Sequence, residues 1–145
     1  MPGVLAIVLV ILLPLFLASF VAKQSEPWTN GQLLEPADLA SMIQSHEAVK
    51  PLIFSIGPGA IIKGSYDIGP TTEKKNLKKL EDRLNKLQRD EHVVIYCGCC
   101  PFNKCPNIRP AFTLLNSMGF KNHKLLNLPQ NIKVDWIDSG YPISE

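Results

Sequence analysis

His92-Val-Val-Ile-Tyr96, followed at once by Cys97-Gly-Cys-Cys-Pro-Phe-Asn-Lys-Cys-Pro-Asn-Ile-Arg109, decides how this chain is read. The first part is β-branched and aromatic without polar alternation, the pattern of a strand covered on both faces as in a parallel sheet. The second part holds all four cysteines of the chain, between Cys97 and Cys105. A strand that ends in a cysteine delivers it to the carboxyl edge of the sheet, where open α/β sheets present their chemistry.

Working outward, Pro110–Met118 reads as a helix with Phe112, Leu115 and Met118 on its core face, and Gly119 suits the left-handed residue that follows a helix. Lys124–Leu128 is a further strand, closed by Pro129. Upstream, Glu73–Arg89 carries Leu77, Leu80, Leu84 and Leu87 at helical spacing, with charged residues on the other faces. This lysine-rich helix is a solvated amphipathic element rather than a binding surface. Pro51–Ile56 is a short apolar strand ended by Gly57-Pro58-Gly59, and a small strand is expected at Ile61-Ile62 or at Tyr66–Ile68. Pro36 opens a short helix that carries Leu39, Met42 and Ile43. Helices and strands in alternation predict an α/β domain with a mostly parallel central sheet. The stretch from Gly57 to Ser65 is not a phosphate loop, because Lys63 precedes Gly64 instead of following it.

Val4–Ala22 contains no charged residue and nearly reaches the roughly 20 apolar residues that span a bilayer. Residues 1–22 are therefore read as a signal peptide or a membrane anchor, with membrane contact through residues 4–22 and export, to a periplasm or an extracellular space, as its consequence. No small-x-small cleavage site distinguishes the two. Residues 23–31, polar with Pro27 and Gly31, read as a linker, and residues 32–145 as the single domain. A net charge of +2, with most lysines in one helix, argues against nucleic acid as a partner.

A domain of this size needs no staples. Cysteines packed into one short segment would close only short loops as disulfides, so their purpose is chemical. A thiol on a loop running into a helix N-terminus meets backbone N–H donors and the positive end of the helix dipole, both of which favour the thiolate. Lys104 and Arg109 can add positive charge for the thiolate and for an anionic substrate. Asn107 is a candidate N-cap for the following helix, and Pro101 and Pro106 stiffen the loop. No histidine lies in the loop, so a Cys–His pair would need His46, His92 or His123 brought from elsewhere.

Val93-Val-Ile-Tyr-Cys97, a loop, a helix ending in Met118-Gly-Phe120, a strand ending at Leu128 and the terminal Trp136-Ile-Asp-Ser-Gly-Tyr-Pro-Ile143 together resemble the rhodanese family. The resemblance runs over about Leu33–Ile143. It implies a rhodanese-like three-layer α/β domain and a sulfurtransferase activity without a cofactor. In that family a cysteine after the fourth strand takes up a sulfur atom as a persulfide, held by loop amides, and yields it to a thiol or to cyanide. On this chain the resemblance implies Cys97 as carrier with Cys100 as second candidate. Gly98, Cys99, Lys104, Cys105 and Arg109 would form the loop that receives a small sulfur-containing anion or thiol. The sequence departs from the family where Ser55-Ile56-Gly57 replaces an Asp-x-Arg strand end and Ile62-Lys63-Gly64 a His-Ile-Pro-Gly turn. Its active loop is also longer than the usual Cys-x-x-Gly-x-Arg, with the first arginine only at Arg109.

Three other functions compete with this one. A metal site draws on the same thiols, but one cluster in place of two separated Cys-x2–4-Cys knuckles argues against a tetrahedral cage, and no metal ligand is assigned. A thiol redox module could use the Cys97-x-x-Cys100 spacing. A rhodanese-shaped domain could also bind without turnover. Trp136 and Tyr141 are read as packing residues.

Overall fold

The computed structural model describes residues 25–46 and 50–145. The segment expected to meet the membrane, residues 1–22, lies outside them. Among the described residues no helix is long and apolar enough to cross a membrane.

Five strands form one sheet in the order β1-β5-β4-β2-β3: β1 is Leu33–Leu34, β2 Leu52–Ser55, β3 Tyr66–Asp67, β4 His92–Tyr96 and β5 Asn122–Leu126. Every pairing is parallel. The helices are α1 at Pro36–Gln44, α2 at Lys74–Leu84 and α3 at Ile108–Ser117. The α/β class and the predominantly parallel sheet expected from the alternation of elements are both present.

The β4 run lies in the middle, with Val93 opposite Leu52 of β2 and opposite His123 of β5. Its side chains alternate between two cores, as the period of a strand dictates. Val93, Ile95 and Cys97 face Leu80 and Leu84 of α2 and Phe112 and Leu115 of α3. Val94 and Tyr96 face Leu39 and Ala40 of α1 and Trp136 of a π-helical turn at Lys133–Ile137. These are the two apolar faces of a three-layer domain. The Tyr96 hydroxyl, fully buried, accepts hydrogen bonds from the backbone N–H groups of Ile61 and Ile62.

Several boundaries shift from the sequence reading. The last strand begins two residues earlier than Lys124 and ends at Leu126, because Leu128 has turned off the sheet and gives its carbonyl to the Phe102 N–H. The α2 helix stops at Leu84, but the leucine stripe continues: Leu87 packs on the same core through a tightened turn with its N–H on Leu84 O. Of the two sites proposed for the small strand, Tyr66–Asp67 pairs with β2, whereas Ile62 forms an isolated antiparallel bridge to Ile143. Gly119 takes the left-handed conformation at φ 78°. Trp136 and Tyr141 pack edge-on at 5.2 Å.

The end of the segment read as a linker belongs to the folded body. Trp28 is buried against Phe102 and Phe112, Pro27 O accepts from the Asn116 side chain, and Glu26 pairs with Arg109. An aromatic residue among polar and turn-forming neighbours gives no periodic signal, so the burial of Trp28 was not legible. Trp28→Ala is expected to destabilise the domain by about 3 kcal/mol, the usual cost of removing a large buried aromatic. Urea unfolding of full-length protein, compared with Ser25→Ala as a surface control, measures it.

Candidate active site

Cys97 leaves the carboxyl end of β4 with 1% of its surface exposed. Its thiol fits there because the neighbouring chain, just past β2, is Gly57: a Cβ built at that position would lie 2.5 Å from Cys97 Sγ. The next residue is equally constrained. A Cβ on Gly98 would come within 2.9 Å of Ile132, whose N–H donates to Gly98 O. From Gly98 the loop carries Cys99 outward, half-buries Cys100, and reverses in a 3-10 turn at Phe102–Lys104. The Phe102 N–H on Leu128 O and the Phe102 ring beside Trp28 hold that turn to the domain. The reversal brings Cys105 back into the core that contains Cys97.

All four thiols are free, and their sulfurs lie within 4.8 Å of one another. Cys97 Sγ is 3.4 Å from Cys99 Sγ, which is 3.2 Å from Cys100 Sγ. Asn107 supplies the polar floor. It is buried, its Nδ2 donates to Cys97 Sγ at 3.6 Å, and its Oδ1 accepts from the N–H and hydroxyl of Thr72. The Thr71 hydroxyl donates to Asn107 O. Asn107 does stand at the N-cap position of α3, as expected, but its backbone is helical and its side chain makes no cap bond. A buried thiol in need of a donor is the stronger attraction.

These neighbours set Cys97 apart electrostatically from Cys99 and Cys105. The adjacent Cys105 thiol contributes most to holding Cys97 far below the ordinary thiol value, to about 5. The Cys99 N–H, the Asn107 amide and the Cys99 thiol add to this, and together they outweigh burial. Burial, and then the Cys100 and Cys97 sulfurs, push Cys99 up to about 12. Proximity to Cys97, and then burial, raise Cys105 as well, against a donated Asn107 N–H. The thiolate is therefore favoured on Cys97, and the Cys99 and Cys105 thiols act as donors to it.

Cys97, Gly98, Cys99, Cys100 and Cys105, all picked out in the sequence, thus converge. Lys104 is exposed on the turn, with no ion pair among the described residues. Arg109 is directed elsewhere: its guanidinium binds Glu26 Oε1 at 2.6 Å and Asn103 O at 2.9 Å, and lies 5.6 Å from the Trp28 ring centre. The candidate histidine partners are also apart from the loop: His92 is exposed at the start of β4, and His123 bonds Gln32 and Asn116. The sequence reading missed Gly57, Thr71 and Thr72 as parts of the site. Gly57 was read as a strand terminator and as part of the Ser55-Ile56-Gly57 departure, although the residue that ends a neighbouring parallel strand also borders Cys97 at the end of β4. The larger grooves, of about 360 and 320 Å³, are lined by residues such as Glu35 and Asn127, or Tyr66 and Arg83, and not by cysteine.

No protein-family model matches the sequence, and a search of curated proteins finds no significant relative. Solved structures do resemble it. The single-domain sulfurtransferase RDL2 of Saccharomyces cerevisiae superposes with a TM-score of 0.53 at 15% identity, over 75% of this chain and 90% of RDL2. EanB bound to hercynine superposes at 0.57 and 14% identity, over 83% of this chain. An EanB cysteine persulfide with ergothioneine superposes at 0.51 and 16%, over 77% of this chain. The chain spans only 27–29% of the length of EanB. The fold is rhodanese-like.

In reduced, chelator-treated protein, the alkylation rate of Cys97 by iodoacetamide should rise through a midpoint near pH 5 and stay flat above it, because the thiolate is the reactive form. Asn107→Ala removes a donor to that thiolate and leaves its burial, so the midpoint should move to higher pH. Gly57→Ala should displace the thiol and slow alkylation throughout. Peptide mass mapping across a pH series reads all three.

Proposed function

We propose that this chain is a sulfurtransferase that carries sulfane sulfur on Cys97 and delivers it to a thiol or to cyanide. The observation that carries this reading is the position of Cys97 Sγ at the end of the central strand, floored by the Asn107 amide. The superposition on RDL2, itself a sulfurtransferase, and on a persulfide form of EanB supports it.

The chemistry follows in two balanced displacements. The Cys97 thiolate attacks the outer sulfur of a donor such as thiosulfate. The S–S bond of the donor breaks, sulfite leaves with the electron pair, and a Cys97 persulfide anion remains. An acceptor thiolate then attacks the terminal sulfur, takes it as its own persulfide and returns Cys97 as thiolate. Cyanide in the same role leaves as thiocyanate. The protein supplies N–H donors that hold the negative charge, which passes from the thiolate to the terminal sulfur. Lys104, exposed on the turn, draws anions to the loop. Arg109 acts at a distance, by fixing the 3-10 turn to Glu26. Cys99 lies outside Cys97 and shields it, so a donor reaches Cys97 when Cys99 swings aside. We assign residues 1–22 to export or membrane anchoring, with the domain working on the far side of, or at, a membrane.

Incubation with thiosulfate should add one sulfur to the intact mass of the reduced protein, and added cyanide should remove it as thiocyanate. Cys97→Ser should abolish the gain. A gain that survives this substitution moves the carrier to another of the four cysteines, Cys100 being the second candidate, and no gain in the wild-type chain rejects sulfur transfer from this donor.

A further inference from the structure

Nucleophilic sulfur transfer needs one cysteine, and the loop brings four together. We propose that Cys97, Cys99, Cys100 and Cys105 together form a four-thiolate site for a single zinc ion. The inference is independent of sulfur transfer.

The sulfur geometry is its basis. Zinc holds thiolates at about 2.3 Å, which places the corners of a tetrahedron about 3.8 Å apart. The contacts of 3.2 and 3.4 Å and the outer limit of 4.8 Å bracket that edge. A set this compact surrounds one ion and leaves no room for the inorganic sulfurs of an iron–sulfur cluster. Four sulfur donors also favour tetrahedral zinc over the oxygen-seeking cations.

The spacing Cys97-x-Cys99-Cys100-x4-Cys105 lacks two separated knuckles, but the fold supplies their equivalent. Cys97 is fixed by β4. Cys105 is fixed by the turn at Phe102–Lys104, where its N–H reaches Phe102 O, and by entry into α3. The two anchored, buried thiols form one side of the cage, and Cys99 and Cys100 close it from the solvent side. The outer layer suits a thiolate cage as well: the Asn107 amide and the Cys99 N–H point to Cys97 sulfur, and the Asn107 N–H to Cys105 sulfur. Binding displaces the protons still held by the thiols and involves no redox change.

The test uses the full chain, reduced, stripped with chelator and kept anaerobic. Zn2+ should bind at one ion per chain by native mass spectrometry. Co2+ in its place should give thiolate-to-cobalt charge transfer and the intense visible bands of a tetrahedral site. Each of Cys97→Ser, Cys99→Ser, Cys100→Ser and Cys105→Ser should weaken Zn2+ binding against a competing chelator by more than about 100-fold, beyond what loss of an outer hydrogen-bond partner costs. Asn107→Ala should weaken it by about tenfold. Circular dichroism separates a lost ligand from a lost fold, and Cys99→Ser, at an exposed position, tests the site without disturbing the core. Absence of stoichiometric zinc, an octahedral cobalt spectrum, or unchanged affinity in folded Cys99→Ser or Cys100→Ser overturns the proposal. Sulfur gain is scored separately on metal-free protein: gain without zinc sinks only the metal site, and zinc without gain sinks only sulfur transfer.

Discussion

The backbone hydrogen bonds that β4 makes along both edges, to β2 and to β5, fix the point in space at which Cys97 emerges. A parallel strand held on two sides cannot slip by one residue without moving Val93 and Ile95 out of one core and Val94 and Tyr96 out of the other. The direction of the thiol is therefore set by burial far from it: alternation along β4 sends Cys97 to the side of α3, where Cys105, Asn107 and Ile108 lie. Gly57 completes the constraint by leaving the thiol room at the end of β2.

Given that anchor, the loop has few choices. Its far end is set by α3, and Pro110 falls in the first turn, where a missing N–H costs nothing. Between the anchors the chain must turn back, and the Phe102 turn does so by lending its N–H to Leu128 and its ring to Trp28. Trp28 and Arg109 thus serve the site from outside, since they brace the turn that returns Cys105 to Cys97. The sequence presents Arg109 as the natural anion ligand, but Glu26 lies in a segment that reads as linker, and nothing local discloses that the two meet.

What could be read in advance follows from this division. β4, β2, the leucine stripe of α2 and the helix before Gly119 carry periodic apolar patterns, and burial of whole faces enforces them. The delivery of Cys97 to the carboxyl end of the central strand was legible for the same reason. Asn107 was legible as the N-cap position of α3, but the partners of its side chain, Thr72 and Cys97, are distant in sequence and gave no local signal. Spacing alone also did not show that the four sulfurs gather within 4.8 Å of one another, because spacing contains no information about a turn whose anchors are Leu128 and Trp28. Local pattern predicts elements, and contacts between elements decide sites.

Sulfur transfer and metal binding make opposite demands on this loop. A zinc ion needs the four sulfurs closed around it, with Cys97 as a ligand and its lone pairs engaged. Transfer needs Cys97 uncovered, and in the closed arrangement only 1% of its surface reaches solvent. Gly98 is pinned by Ile132 and Cys105 by the turn, whereas Cys99 is exposed and Cys100 half-buried, so the solvent side of the cluster is the side an incoming donor would have to part. Parting it would expose the thiolate without unfolding the domain. A metal-loaded chain would be protected from alkylation and from sulfur donors by the same geometry, and the two proposed activities would exclude one another because both use the Cys97 sulfur.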